Sequence, residues 1–165
     1  MLFAAGFGTR MGALTANCPK PLIKVAGRPL IDHAITLARR ANITTIVANA
    51  HYLADQITDH LAGTEIAVSH EHPEILDTGG GLKAARGLLN AQTAFTLNTD
   101  AVWLGPNPLT ILRDAWDPSR MDCLFLGVAP ENTRGHSGSG DFTISARGDI
   151  ERGPGLVYTG AQILK

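Results

Sequence analysis

The chain has 165 residues, of which 44% are hydrophobic and 18% are charged, and its formal net charge is -1. This composition predicts one compact domain with a continuous core and excludes a disordered chain or a coiled coil. The near-zero net charge provides no global basic field, so no nucleic-acid partner is expected.

The first predicted strand, Met1–Ala5, runs into the loop Gly6–Met11, which reads G-F-G-T-R-M. Its glycines let the backbone come close to a phosphate, because a side chain would block the approach. Arg10 can hold two phosphate oxygens at once, and the ammonium of Lys20 acts as a movable point charge. Glycines alone would indicate only a tight turn, but together with these cations they favour binding of a triphosphate. The loop matches neither the dinucleotide fingerprint nor the P-loop pattern.

Helices and strands alternate after this loop, which predicts a parallel α/β sheet. Helices are expected at roughly Leu30–Ala41, Leu53–Leu61, Leu82–Leu89 and Leu109–Trp116. Strands are expected at Thr44–Asn49, Glu65–Ser69, Ala94–Asn98, Met121–Val128, Asp141–Ser145 and Gly155–Gly160, with a turn between the last two.

Asp100 follows the strand predicted over Ala94–Asn98. In open parallel sheets, ligands bind beyond the carboxyl ends of the strands, so Asp100 and the Gly6 loop can face one crevice. A carboxylate there can hold Mg²⁺, which prefers oxygen ligands. On position alone, a turn or helix-capping aspartate is an equally good interpretation.

The glycine triplet Gly79–Gly81 is expected to precede the third helix. Its bare backbone N–H and C=O groups can contact a base edge or a ribose, although a flexible connection has the same composition. Uracil, guanine and cytosine all remain open, because small shifts of backbone groups would serve each of them.

Several segments together resemble the signature of the sugar-1-phosphate nucleotidylyltransferases. They are Phe3–Met11, Pro19–Leu22, Val25–Leu30, Leu76–Leu82, Leu97–Asp100, Gly138–Phe142 and Tyr158–Gly160. Within that family, the glycine-rich pattern is most similar to the bacterial N-acetylmuramate-1-phosphate uridylyltransferases. The resemblance implies a three-layer, Rossmann-like α/β fold of the nucleotide-diphospho-sugar transferase (GT-A-like) type, with a mostly parallel central sheet and one domain over residues 1–165.

The resemblance also implies a reaction and its substrates. An enzyme of this family transfers a nucleotidyl group from a nucleoside triphosphate to a sugar 1-phosphate with the help of Mg²⁺, and releases pyrophosphate. UTP and N-acetylmuramate 1-phosphate are the favoured pair. Mannose-1-phosphate guanylyl transfer, nucleotidyl transfer to another sugar 1-phosphate and choline-phosphate cytidylyl transfer remain alternatives. A nucleotide-binding regulatory module without catalysis is an alternative of another class.

Site residues follow from the same resemblance. The catalytic residues would be Arg10, Lys20 and Asp100, with Asp100 as the metal ligand. The nucleotide would contact Ala4, Ala5, Gly6, Gly8, Thr9, Arg10, Thr78, Gly79 and Gly80. The sugar phosphate would contact Asn98, Gly140, Asp141, Glu151 and Gly160, and Arg152 could stand where relatives often place a lysine.

One departure from the family concerns the metal. Relatives supply a second metal-binding aspartate after the Tyr-Thr-Gly strand, whereas this chain has no aspartate beyond Asp149. We therefore expect the chain to lack a C-terminal part that carries this residue. The alternative is a protein that binds nucleotide without efficient turnover. The sequence does not indicate an oligomeric state.

Other chemistries find little support in the sequence. The six histidines form no H-E-x-x-H motif or paired Cys/His framework, so structural roles are favoured over a zinc site. The serine-hydrolase motif G-x-S-x-G is absent. Cys18 and Cys123 are far apart and fit reduced thiols, which indicates a cytoplasmic protein. No segment approaches membrane-spanning length, so no membrane partner is expected.

Overall fold

The computed structural model describes residues 1–165. Its strands are β1 (Leu2–Phe3), β2 (Lys24–Val25), β3 (Arg28–Pro29), β4 (Val47–Ala50), β5 (Ala67–His70), β6 (Ala94–Asn98), β7 (Cys123–Val128), β8 (Phe142–Ile144), β9 (Ile150–Arg152) and β10 (Val157–Leu164). Its α-helices are α1 (Leu30–Arg40), α2 (Ala54–Leu61), α3 (Asp77–Leu89) and α4 (Pro108–Ala115). Short 3₁₀ helices cover Thr9–Thr15, Lys20–Leu22 and Pro130–Asn132. No helix combines the length and the apolar character needed to span a membrane.

A six-stranded central sheet has the order β5-β4-β1-β6-β10-β7. The first four of these strands are parallel, and β10 runs antiparallel to both β6 and β7. Two small hairpins, β2–β3 and β8–β9, lie outside this sheet. The predicted α/β architecture with a mostly parallel sheet is confirmed, and the carboxyl ends of the four parallel strands meet at one edge.

Helices cover both faces of the sheet and complete the three predicted layers. Residues of α1, α2 and α4 share the larger hydrophobic core with Leu2, Ala48 and Leu97 of the sheet. On the opposite face, Ala85 of α3 packs with Val47. Successive side chains of a strand point to opposite faces, so Val47 and Asn49 face α3 while Ala48 faces the larger core.

The first helix follows its apolar pattern closely. Leu30, Ile31, Ala34, Ile35 and Ala38 are buried at helical spacing, and two arginines occupy the last turn, where positive charge suits the helix dipole. This segment was expected to be a helix, and the structure ends it within one residue of the predicted boundary.

The start of the third helix was predicted wrongly. Gly79–Gly81 were expected to precede it, but α3 begins at Asp77 and contains all three glycines. Glycine is a poor helix former, so its presence argued for a later start. Close packing overrides that preference, because a Cβ at Gly81 would overlap the Glu71 carboxylate and the Asn49 amide.

The two last predicted strands do not flank a common turn. Phe142–Ile144 pairs with β9, which the sequence analysis missed, and meets the last predicted strand only in a single antiparallel bridge between Phe142 and Leu156. β10 enters the central sheet between β6 and β7. All three residues of β9 are exposed, so no buried apolar position marks it as a strand. Val157, Ala161 and Ile163 are buried, which accounts for the longer extent of β10.

Truncation of Leu97 tests the position of the core. Leu97 is 1% exposed in β6, so Leu97→Ala should lower the free energy of unfolding by about 2–5 kcal/mol. Leu104 is 84% exposed, and Leu104→Ala should change the free energy of unfolding by less than about 0.5 kcal/mol. Urea unfolding of both variants measures the difference, and equal losses would contradict this assignment of the core.

Candidate active site

A crevice of about 450 Å³ opens at the edge where the parallel strands end. The loop after β1, the end of β6, Lys20 and the start of α3 line it. Among the residues predicted for the site, it brings together Ala4, Ala5, Gly6, Gly8, Thr9, Arg10, Lys20, Thr78, Asn98 and Asp100. The prediction that the glycine-rich loop and Asp100 face one crevice is therefore confirmed.

The glycine-rich loop folds back on itself after β1. Gly8 has a φ of +65°, and a Cβ there would lie 2.8 Å from Thr15 Cγ2 and 3.1 Å from Lys20 Cβ. The Met11 amide and the buried Thr15 hydroxyl both donate to the Gly8 carbonyl, at 2.8 and 3.0 Å. Gly8 therefore brings the backbone of the loop against the segment that carries Lys20.

An aromatic group on the β4–α2 connection supports this loop. The Tyr52 hydroxyl lies within hydrogen-bond distance of the Thr15 and Ala16 carbonyls, at 2.8 and 3.1 Å. Phe7 packs edge-on against His51, with ring centroids 5.4 Å apart, and also contacts Tyr52. These contacts join distant segments, and no local pattern in the sequence indicates them.

Lys20 and Asp100 both line the crevice and form an ion pair, with Lys20 Nζ 2.7 Å from Asp100 Oδ2. The side chains are 29% and 43% exposed, respectively. Exposed pairs of this kind contribute about 1 kcal/mol or less. The Thr99 hydroxyl donates to the Phe3 carbonyl at 2.7 Å and fixes the backbone beside Asp100 to the end of β1. The backbone beside Asp100 is thus held by the fold, while the cationic partner of the carboxylate can be exchanged at low cost.

The crevice offers carboxylate oxygen to a divalent cation. No group of three or more His, Cys, Asp or Glu side chains converges anywhere in the structure. Mg²⁺ commonly binds one or two carboxylates and completes its shell with water and substrate phosphates. Asp100, an accessible carboxylate on the crevice wall, fits that mode of binding.

Two further polar residues in the crevice were missed by the sequence analysis. Asn49 and Glu71 are each 3% exposed, and both line the crevice. The Ala4 amide donates to Asn49 Oδ1, Asn49 Nδ2 donates to Glu71 Oε1, and the Leu76 amide donates to Glu71 Oε2, each at 2.7 Å. The sequence offered one signal for them: Asn49 and Glu71 are polar residues at positions where the alternation of β4 and β5 places buried side chains.

The predicted nucleoside segment divides at the start of α3. Thr78 lines the crevice, whereas Gly79 and Gly80 lie in the same helical turn without lining it. Asp77 has a φ of +59°, and its side chain accepts a hydrogen bond from the Thr78 amide at 3.0 Å. Aspartate tolerates this left-handed conformation better than most residues.

Of the residues predicted for the sugar phosphate, only Asn98 lines the crevice. Gly160 lies directly against the Asn98 side chain, where a Cβ would overlap the amide group. Asp141 accepts a hydrogen bond from the Tyr158 amide at 2.9 Å, and Glu151 is exposed on β9. Gly140 packs against the Gly155 backbone.

Histidines and cysteines lie on scattered elements. His60 Nε2 is 2.7 Å from Asp32 Oδ1, and His33 and His51 each contact a backbone carbonyl. Partial desolvation raises the pKa of the Cys123 thiol, which favours its less nucleophilic protonated form.

The family model and the named relatives that match this chain are nucleotidyltransferases, and a solved structure shares its fold. The model of the MobA-like NTP transferase domain matches residues 1–138. An N-acetylmuramate alpha-1-phosphate uridylyltransferase from Caulobacter vibrioides is 40% identical, and one from Neisseria meningitidis is 34% identical; each match covers 100% of this chain and 74% of the relative. The crystal structure of HddC from Yersinia pseudotuberculosis complexed with GMP-PN has a TM-score of 0.77 at 22% identity, and the match covers 99% of this chain and 75% of that one.

The contact between Gly160 and Asn98 can be tested with a matched pair of glycine variants. Gly63 has a φ of +75° and open space around it, so Gly63→Ala should cost only the backbone strain, about 1–2 kcal/mol. Gly160 has a φ of +79°, and its Cβ would also displace Asn98, so Gly160→Ala should cost about 1–3 kcal/mol more. Urea unfolding gives both values, and equal losses would exclude the contact.

Proposed function

The chain belongs to the family of MobA-like NTP transferase domains and is a sugar-1-phosphate nucleotidyltransferase, and from this premise we propose that it transfers the uridylyl group of UTP to N-acetylmuramate 1-phosphate. The products would be the UDP-sugar and pyrophosphate. The names of the two relatives at 40% and 34% identity support this choice of base and sugar over the guanylyl and cytidylyl alternatives.

The observation that carries the proposal is the convergence of charge beside a glycine-rich loop. Arg10, Lys20 and Asp100 come from separate segments and line one crevice with Gly6 and Gly8. A triphosphate needs close backbone approach and positive charge, which the loop and its two cations can supply. A carboxylate in the same crevice provides a ligand for the cation that accompanies the phosphates.

In the proposed reaction, a phosphate oxygen of the sugar 1-phosphate attacks the α-phosphorus of UTP in line. The new P–O bond forms as the bond between the α-phosphorus and the bridging oxygen breaks, and pyrophosphate leaves with the electron pair. No general base is needed because the attacking phosphate is already an anion. Positioning and charge neutralisation therefore supply most of the rate.

Each charged residue has a role in this scheme. Arg10 would hold the departing phosphates with its planar guanidinium, and Lys20 would stabilise charge near the α-phosphate. Asp100 would hold Mg²⁺, which neutralises phosphate charge when bound. Because the Lys20–Asp100 pair is partly exposed and weak, Lys20 can exchange its carboxylate partner for a phosphate oxygen at little cost.

The acceptor side of the site is also part of the proposal. Asn98, on the crevice wall, would contact the sugar phosphate, and Gly160 behind it would fix its position. Gly140, Asp141 and Glu151 would contribute from the region of the β8–β9 hairpin. Arg152, whose guanidinium lies 5.9 Å from the centre of the Phe142 ring, adds a cation to this side.

Pyrophosphate release in the presence of Mg²⁺ tests the substrate assignment. UTP, GTP, CTP and dTTP are each combined with N-acetylmuramate 1-phosphate, mannose 1-phosphate, glucose 1-phosphate and phosphocholine. We expect turnover with UTP and N-acetylmuramate 1-phosphate, abolished by Asp100→Ala. Turnover with a different pair would replace the proposed substrates, and tight nucleotide binding without any turnover would favour the regulatory module.

Matched pairs of cation variants test the roles of Arg10 and Lys20. Arg10→Ala and Lys20→Ala should each lower kcat/KM by roughly 10²-fold or more, because each contact tightens in the transition state. Arg39→Ala and Lys24→Ala remove exposed cations outside the crevice and should leave kcat/KM within about twofold of the parent. Steady-state kinetics and thermal unfolding are measured together, and a loss confined to stability would contradict the proposed roles.

A further inference from the structure

A chain of three hydrogen bonds, buried except at its Leu76 end, connects two segments that line the crevice. It starts at the Ala4 amide, which precedes the glycine-rich loop, and passes through the side chains of Asn49 and Glu71 to the Leu76 amide, which precedes α3. All three hydrogen bonds are 2.7 Å long. The group at each end of this hydrogen-bond chain is a backbone N–H, which can only donate.

The identity of both side chains follows from that restriction. Asn49 must accept from the Ala4 amide, which leaves its NH₂ group facing Glu71. The residue at position 71 must then accept twice, once from Asn49 and once from the Leu76 amide. A carboxylate can do so, whereas the amide of glutamine has only one acceptor oxygen.

The surrounding backbone holds Glu71 in place. Its amide donates to the Ala50 carbonyl at 2.9 Å, and its carbonyl accepts from His51 Nδ1 at 2.9 Å. On the far side, Gly81 of α3 comes so close to Glu71 and Asn49 that no Cβ fits between them. The side-chain pair therefore lies between β4, β5 and α3, and α3 packs directly against it at Gly81.

We propose that Glu71, acting through Asn49, is a positioning residue that fixes the glycine-rich loop relative to the start of α3. The distance between the loop proposed to hold the triphosphate and the turn that carries Thr78 is then already fixed in the free protein, before the nucleotide binds. Preorganisation of this kind lowers the cost of ordering the site on binding. The effect on catalysis rests on the proposed function, but the hydrogen-bond chain itself does not.

A double-substitution cycle tests the donor and acceptor pattern with almost no change of shape. Glu71→Gln replaces one acceptor oxygen by an NH₂ group. This group must then face another donor, either the side-chain NH₂ of Asn49 or the Leu76 amide. Asn49→Asp sets two carboxylates against each other. The double variant, Asn49→Asp with Glu71→Gln, restores every hydrogen bond. Its carboxylate at position 49 accepts from the Ala4 amide and from the side-chain NH₂ at position 71, and the side-chain oxygen at position 71 accepts from the Leu76 amide. The formal charge of the double variant equals that of the parent.

Amide hydrogen exchange in the free protein is the first readout. Exchange at Ala4, Leu76 or both should be at least about 10-fold faster in each single variant, since a buried mismatch opens the local structure. In the double variant, it should return to within about threefold of the parent. Unchanged exchange in the single variants, or a double variant no better than they are, would overturn the proposal.

Binding and turnover of UTP give the second readout. In Glu71→Gln, we expect Kd and KM for UTP to rise about 10-fold while kcat changes less, with recovery in the double variant. Ile57→Val, which removes one methylene from a fully buried position in α2, controls for general destabilisation and should leave KM unchanged. A parent that turns over no substrate pair would refute the proposed function alone, because the exchange cycle decides the coupling by itself.

Discussion

Parallel pairing of β5, β4, β1 and β6 is the constraint on which the rest of the molecule depends. Because these strands point the same way, every segment that leaves them emerges at one edge of the sheet. The glycine-rich loop after β1, Glu71 after β5 and Asp100 after β6 are distant in sequence yet share one crevice for this reason. An antiparallel arrangement would have put neighbouring strand ends on opposite edges.

The charged groups of the crevice lie in two different environments, one partly exposed and one buried. Lys20 and Asp100 are partly exposed and form a pair that costs little to break, which suits groups that must change partners during a reaction. Glu71 is buried, and both of its carboxylate oxygens accept hydrogen bonds. Removing a partner from such a group is expensive, because the charge would remain without compensation. The Lys20–Asp100 pair can therefore rearrange while the buried Asn49–Glu71 pair stays fixed.

The local sequence pattern predicted correctly those helices and strands that are determined by their own residues. The buried spacing of α1 and the bounds of β6 agree with the sequence analysis, and Asp100 was correctly expected to face the loop. The predictions failed for elements whose position depends on contacts between residues distant in the sequence. The glycines of α3 accommodate Glu71 and Asn49, and β9 has no buried side chain to mark it. The proposed roles of Gly140, Asp141 and Glu151 remain predictions, because those residues lie away from the crevice wall.

The position of β10 also affects how the chain folds. This strand pairs with β6 through contacts such as Gln162 with Thr96, although the two strands are separated by most of the second half of the sequence. During synthesis, β6 keeps an unpaired edge until residues 157–164 have left the ribosome. Such long-range pairing slows folding, and exposed strand edges are where nascent chains aggregate. Because β6 ends at Asn98 on the crevice wall, this side of the crevice is completed only when the last strand is in place.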